Sequence, residues 1–292
     1  MRKINSVSWE EKFIEVDGIK IHYFLGGKGP VLLLIHGWPL AFHLPSRFLD
    51  IFAQNFRVFA VNLPGFGKSE IPAFPPTVEN YANFLNRFIK DLGIRKHSVI
   101  GWSFGGMVAI KYTAPNSKNI SKIVLCGTAV RGDHVANKLL RGVYKFLSLT
   151  YEKIPLVDYF IRAILKSDRF LPWLWERISA NDPSKFSSIA ALKKMPVPFQ
   201  KAIFDNALKV NLEKDCRKLK NIPTLILAGE KDNLMTVKCG AEIDGLIRTS
   251  YFMIVPNARH GDILNEDSIN ICLDFLFGKS PYYIMPKIGS VS

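Results

Sequence analysis

The chain has 292 residues, 48% of them hydrophobic and 22% charged, which fits a soluble globular protein with one α/β domain and room for a large insertion. A formal net charge of +14 raises nucleic acid or an anionic membrane as partners. The basic residues are spread along the chain, however, and no nucleic-acid motif appears, so no nucleic-acid partner is expected. Their one cluster, Lys214 to Lys220, reads as a solvated helix end or loop. The longest uncharged apolar run, around His97 to Ile110, is too short and too glycine-rich to span a membrane. The N-terminus has no apolar core of signal-peptide type, and a cytoplasmic location is expected. The cysteines Cys126, Cys216, Cys239 and Cys272 are scattered without C-x-x-C spacing, so no metal site and no disulfide framework is expected.

In chain order, residues 12–16 and 19–23 alternate around Asp17-Gly18, the pattern of a β-hairpin with a favoured turn dipeptide. His22, in the second strand, reads as a structural side chain. Residues 30–35 are a continuous apolar run, which predicts a strand buried on both faces in a mostly parallel sheet. It ends in His36-Gly37-Trp38-Pro39, where the glycine permits a tight turn and the proline stiffens the exit. A helix is expected near 46–54 and a strand over 57–61, followed by the loop Asn62 to Ser69. Gly67-Lys68-Ser69 has the tail of a phosphate-binding loop, but that loop's first glycine would fall on Asn62, and the reading fails. Residues 77–92 predict an amphipathic helix with Tyr81, Phe84, Leu85, Phe88, Ile89 and Leu92 on one face.

A β-rich run, 96–100, leads into Gly101-Trp102-Ser103-Phe104-Gly105-Gly106, and a helix-compatible run, 107–112, follows. Strand, serine, helix is the context that gives G-x-S-x-G its meaning. A sharp turn there lifts the hydroxyl off the sheet, requires small neighbours, and aims the positive end of the helix at the reacting centre. Taken alone, the pentapeptide also fits a glycine-rich turn with an incidental serine. A strand at 122–127 carries Cys126, read as a core residue. The alternation then breaks. From Arg131 to Lys214 no strand is predicted. Instead, helically spaced apolar positions are punctuated by prolines, and aromatics such as Tyr144, Trp173 and Trp175 recur. This predicts a helical cap over residues 131–214, partly an apolar ceiling for the site, with 1–130 and 215–292 forming the core. Strands at 223–228 and 250–255, helices near 237–247 and 265–277, and the loops Gly229 to Asn233 and Pro256 to Asp262 complete the pattern.

Loops at the carboxyl ends of predicted strands carry Ser103, Asp232 and His260, in that chain order. A serine hydroxyl needs a base to take its proton. Imidazole serves near neutral pH, and a carboxylate on the far ring nitrogen fixes the tautomer and stabilises the imidazolium. The developing oxyanion needs backbone donors, for which the N–H groups of Phe104 and Trp38 are the candidates.

These motifs together resemble the α/β-hydrolase family in its capped branch. His36-Gly37-Trp38-Pro39, Asn62 to Ser69, Gly101 to Gly106 and Gly229 to Asp232 match the family's patterns in order, over roughly Phe13 to Gly278. The resemblance implies an α/β-hydrolase fold and a cofactor-independent serine hydrolase. Its default reaction is hydrolysis of a carboxylic ester with a small-molecule apolar acyl group. Carbon–carbon hydrolysis of a vinylogous diketone, lactone, amide or perhydrolase chemistry, and a receptor-like binding role stay open. The H-G-W-P loop is like that of epoxide hydrolases, but those enzymes need Asp where this chain has Ser103. Arg259 stands where the family usually has Gly. Asp133 is the alternative acid, since some relatives place it after the earlier strand. His36 is expected to be structural, and Glu230 and Asp262 to be solvated.

Overall fold

The computed structural model describes residues 7–44, 46–135 and 195–279, with isolated positions at 159 and 163. Most of the predicted cap, including Tyr144, Trp173 and Trp175, lies outside the described residues.

Strands β1 (Trp9–Val16) and β2 (Ile19–Gly26) form the hairpin, and the turn is made by Asp17 and Gly18, both at positive φ. Then follow β3 (Val31–Ile35), α1 (Arg47–Ala53), β4 (Arg57–Val61), α2 (Val78–Asp91), β5 (His97–Trp102), α3 (Phe104–Thr113) and β6 (Ile120–Cys126). The end of the predicted cap carries α4 (Val197–Ala207), and then come α5 (Glu213–Lys218), β7 (Thr224–Gly229), α6 (Val237–Leu246), β8 (Ser250–Val255) and α7 (Glu266–Leu276). One sheet of eight strands runs in the order β1-β2-β4-β3-β5-β6-β7-β8. β2 is antiparallel to β1 and β4, and the pairs from β4 to β8 are parallel.

The continuous apolar runs reflect burial on two faces. In β3, Leu33 and Ile35 join one core layer while Leu32 and Leu34 join the other. β4 repeats this with Phe59 and Val61 against Val58 and Ala60, and β6 with Ile123 and Leu125 against Val124 and Cys126. The first layer is covered by α2, α3 and α6, the second by α1 and α7. Helix α2 buries Tyr81, Phe84, Leu85, Phe88 and Ile89, as its periodicity predicts, and Thr77 caps it by accepting from the Asn80 N–H at 3.1 Å.

The basic residues Lys214, Arg217, Lys218 and Lys220 are exposed, as expected of a solvated helix end, but the residues between them are not. Most of the cluster is helix α5, and its inner face buries Asp215 and Cys216. Asp215 draws the ammonium groups of Lys111 in α3 and Lys218, at 3.4 and 3.8 Å. Nearby, the Leu212 N–H donates to the Val130 carbonyl at 2.8 Å and the Gly132 N–H to the Val210 carbonyl at 2.9 Å. The ends of the 131–214 stretch are thus sewn together beside β6.

Candidate active site

β3 lies between β4 and β5, so successive crossovers leave it in opposite directions. This is a switch point, and in an open α/β sheet a crevice forms at the carboxyl ends of the strands there. The loops after β3, β5, β7 and β8 all reach this edge.

Ser103 stands at the β5–α3 turn with φ 54° and ψ −121°. The turn is tight because glycines surround it. A Cβ on Gly101 would lie 2.6 Å from the Gly105 carbonyl oxygen, and a Cβ on Gly105 would lie 2.3 Å from that of His36. Ser103, Asp232 and His260 are all buried, at 4–6% exposure. The His260 Nδ1 is 2.7 Å from Asp232 Oδ2, and its Nε2 is 2.9 Å from Ser103 Oγ. A carboxylate only accepts, so Nδ1 carries the proton and Nε2 offers its lone pair to the serine O–H. The other Asp232 oxygen accepts the N–H groups of Leu234 and Met235, both at 2.8 Å. That pair of bonds fixes the carboxylate plane. The Trp102 ring stacks on the imidazole at a centroid distance of 5.3 Å.

The loop after β3 abuts the serine, since a Cβ on Gly37 would come 2.9 Å from that of Ser103. His36 is fully buried, and its ring ties two loops. Its Nε2 accepts the Leu63 N–H at 3.1 Å, which leaves Nδ1–H to donate to the Gly37 carbonyl at 3.0 Å. Burial lowers its pKa to about 4, so it is neutral. The Leu40 N–H also holds the Gly37 carbonyl, at 3.0 Å. Because a trans peptide sets N–H opposite C=O, this clamp turns the Trp38 N–H away from His36. Among the described residues, neither the Trp38 nor the Phe104 N–H donates to a protein acceptor.

Asn62 adds a second tie. Its Oδ1 accepts the Phe42 N–H at 2.7 Å, and its Nδ2 bonds His22 Nδ1 at 2.7 Å. His22 is buried and its other nitrogen bonds Glu11, a structural role as expected. Ser69, the last residue of the phosphate-loop-like tail, donates to the Asn62 carbonyl at 2.6 Å, so that sequence serves the turn.

Other expectations divide. Asp133 is exposed and paired with Arg131 at 3.0 Å, so it is not the carboxylate on His260. Arg259 has φ −82° and ψ 177°, extended backbone that any residue adopts, so its replacement of glycine costs nothing in conformation. Glu230 is exposed and accepts the Asn257 N–H at 2.7 Å. Asp262, expected to be solvated, is instead 7% exposed, because a short helical turn at His260–Asp262 folds it inward. The sequence did not single out Trp102, Asn62, Gly127 or Thr128 for the site. Gly127, at φ 49°, is the one with a visible signal, a glycine closing a strand run. A Cβ there would lie 3.4 Å from both Asp232 Oδ2 and His260 Cε1.

The model of the alpha/beta hydrolase fold family matches residues 30–267. The chain belongs to the α/β-hydrolase family. It is a hydrolase, and its relatives within the family span several chemistries. A 2-hydroxy-6-oxo-6-(2'-aminophenyl)hexa-2,4-dienoic acid hydrolase of Metapseudomonas resinovorans is 25% identical over 92% of this chain and 91% of its own. A pimeloyl-acyl-carrier-protein methyl ester esterase of Vibrio campbellii is 23% identical over 84% of this chain and 93% of its own. Among solved structures, the esterase RhEst1 of Rhodococcus sp. ECU1013 superposes with a TM-score of 0.70 at 22% identity, covering 94% of this chain and 100% of that one. Among the described residues, no group of side chains could hold a metal, and no helix is long and apolar enough to cross a membrane.

Proposed function

We propose that this α/β-hydrolase cleaves carboxylic esters of small to medium apolar acyl groups, with Ser103 as nucleophile, His260 as base and Asp232 as its orienting acid. The observation that carries the reading is the unbroken chain from Ser103 Oγ through the imidazole to Asp232, at 2.9 and 2.7 Å. The serine proton passes to His260 Nε2 as Oγ attacks the carbonyl carbon. The oxyanion that forms is received by the Trp38 and Phe104 N–H groups. Asp232 stabilises the imidazolium, which then protonates the leaving alkoxide. Water, deprotonated by the same imidazole, hydrolyses the acyl-enzyme. No step calls for a metal or an organic cofactor.

The insertion at 131–214 is read as a cap. In support, its last helix, α4, packs on the loops beside the serine. Phe204 meets the Trp38 ring at 5.5 Å, and a Cβ on Gly65 would lie 2.3 Å from Phe199. An apolar, enclosed pocket follows, and each buried methylene is worth about 0.8 kcal/mol, close to fourfold. Hydrolysis of p-nitrophenyl esters from acetate to palmitate tests this. kcat/KM rises with chain length and then falls, with its maximum between roughly two and eight carbons for a pocket of ordinary ligand size. A maximum at palmitate overturns the enclosed pocket, and no turnover of any ester overturns the esterase reading.

One observation favours a second reading. The dienoic acid hydrolase of M. resinovorans aligns over 92% of this chain, and the same three side chains serve carbon–carbon hydrolysis of a vinylogous diketone. Activity confined to such a diketone selects that reaction. Ligand binding that is indifferent to Ser103→Ala, without turnover of either class, selects a receptor-like role.

A further inference from the structure

Thr128 stands outside the Ser103–His260–Asp232 chain, yet it holds the serine's own carbonyl. It follows Gly127 just past the end of β6 and is 3% exposed. Its Oγ1 donates to the Ser103 carbonyl at 2.8 Å. Gly106 makes the approach possible, because a Cβ there would lie 2.6 Å from Thr128 Cβ and Oγ1. The Ser103 N–H is taken by the Cys126 carbonyl at 2.8 Å. The run from Cys126 to Thr128 therefore grips the peptide groups on both sides of the Ser103 Cα.

Peptide planarity sets the consequence. The Ser103 C=O and the Phe104 N–H belong to one trans peptide and point in opposite directions, so holding the carbonyl aims the N–H. Helix α3 helps, since the N–H groups of Gly106 and Met107 reach the same oxygen at 2.9 and 3.4 Å. Both of those bonds come from the helix that the peptide itself begins. Thr128 comes from the loop that leaves the neighbouring strand β6 and ties the peptide to that edge of the sheet. The same device serves the loop after β3, where the His36 Nδ1–H and the Leu40 N–H hold the Gly37 carbonyl and so direct the Trp38 N–H.

We propose that the Thr128 hydroxyl is a positioning residue for acyl transfer: by holding the Ser103 carbonyl it aims the Phe104 N–H at the oxyanion. This rests on the serine-hydrolase reading above. It assigns a role in the reaction to a residue that touches neither substrate nor imidazole, and it explains the second glycine of Gly105-Gly106.

The test compares the wild type with Thr128→Val and Thr128→Ser. Valine keeps the branched shape against Gly106 and removes only the hydroxyl, whereas serine keeps the hydroxyl. Two quantities are read: p-nitrophenyl butyrate hydrolysis, and inhibition by an alkyl trifluoromethyl ketone, whose adduct on serine places an oxyanion where the tetrahedral intermediate has one. In Thr128→Val, kcat falls about ten- to a hundredfold while KM stays within about twofold. Affinity for the ketone falls by the same factor as kcat/KM. Thr128→Ser recovers most of both. If the valine variant does not fold, Thr128→Ala supplies the same loss of hydroxyl in a smaller side chain. The role is overturned if kcat of the hydroxyl-free variant matches the wild type, if serine fails to rescue, or if kcat falls without a matching loss of ketone affinity. An active wild type with an indifferent Thr128→Val removes only the positioning role. A wild type that neither cleaves esters nor takes up the ketone at Ser103 removes the underlying reading as well.

Discussion

At φ 54° and ψ −121°, Ser103 holds a conformation that costs an L-residue on the order of 1–3 kcal/mol and persists only where the surroundings impose it. Ser103→Ala is expected to fold, because the glycines and the carbonyl clamps remain, and to lose on the order of a million-fold in kcat. A fluorophosphonate should label the wild type and not the variant, and full labelling of Ser103→Ala would remove the nucleophile assignment. Asp232 allows a sharper argument. Its Oδ1 receives two backbone N–H groups, so an asparagine must turn its own oxygen there and its NH₂ toward His260. Nδ1 must then give up its proton, and the lone pair leaves Nε2. Asp232→Asn should therefore lower kcat by roughly ten-thousand-fold at unchanged fold. Asp133→Asn should retain most activity, since Asp133 is exposed and bonded to Arg131. Steady-state kinetics of the two variants decide between the carboxylates.

Among the elements, α3 is the one whose seating sets the site. It is buried at every position except Lys111, and its first turn runs against the end of β3. A Cβ on Gly105 would lie 2.3 and 2.5 Å from the carbonyl oxygens of His36 and Ile35, backbone atoms at and just past the end of the central strand β3. Gly105→Ala should push α3 off the sheet and separate Ser103 from the loop that carries Trp38. Activity should fall about a hundredfold and stability by roughly 1–3 kcal/mol. Gly245, in the last turn of α6, has nothing within 4 Å of a built Cβ. Gly245→Ala should be neutral or stabilise by up to about 1 kcal/mol. Urea unfolding of both variants measures the contrast, and equal effects would contradict it.

For the whole molecule, buried histidines tie stability to pH. His36 and His97 are buried at opposite ends of the parallel strands, and burial lowers the pKa of each to about 4. A histidine whose pKa is lower folded than unfolded binds protons more readily when unfolded. Its stabilising contribution is complete above the ordinary value near 6.5 and is lost as pH falls toward 4. Each group can remove on the order of 3 kcal/mol across that window. Denaturant unfolding at pH 7, 6, 5 and 4 should show the decline. His97 shares a 2.9 Å hydrogen bond with the Tyr112 hydroxyl, and among the described residues its Nδ1 has no partner. Replacing the pair together, His97→Leu with Tyr112→Phe, leaves no buried polar atom stranded. That double variant should stay within about 1 kcal/mol of wild type at pH 7 and lose a clear part of the acid sensitivity. An unchanged slope would place the sensitivity elsewhere.

Local sequence determined the alternation of strands and helices, because periodicity is a property of neighbouring residues. β4 and β8 fall on the runs 57–61 and 250–255, and Thr77 and Asn265 stand as the caps of α2 and α7. The motif Gly101 to Gly106 and the order Ser103, Asp232, His260 are likewise one-dimensional facts. Strand ends were not legible in this way. β1 begins at Trp9 and β2 runs to Gly26 because each is completed by its partner, and β2 also pairs with β4. Tertiary structure alone decided that Asp262 turns inward and that the Lys214 to Lys220 cluster buries Asp215, while Asp232, which the sequence preferred to Asp133, meets the imidazole. It also decided the contact of Thr128 with the Ser103 carbonyl. These outcomes depend on which atoms approach across elements far apart in the chain, and a pattern with a period of two or 3.6 residues carries no record of that approach.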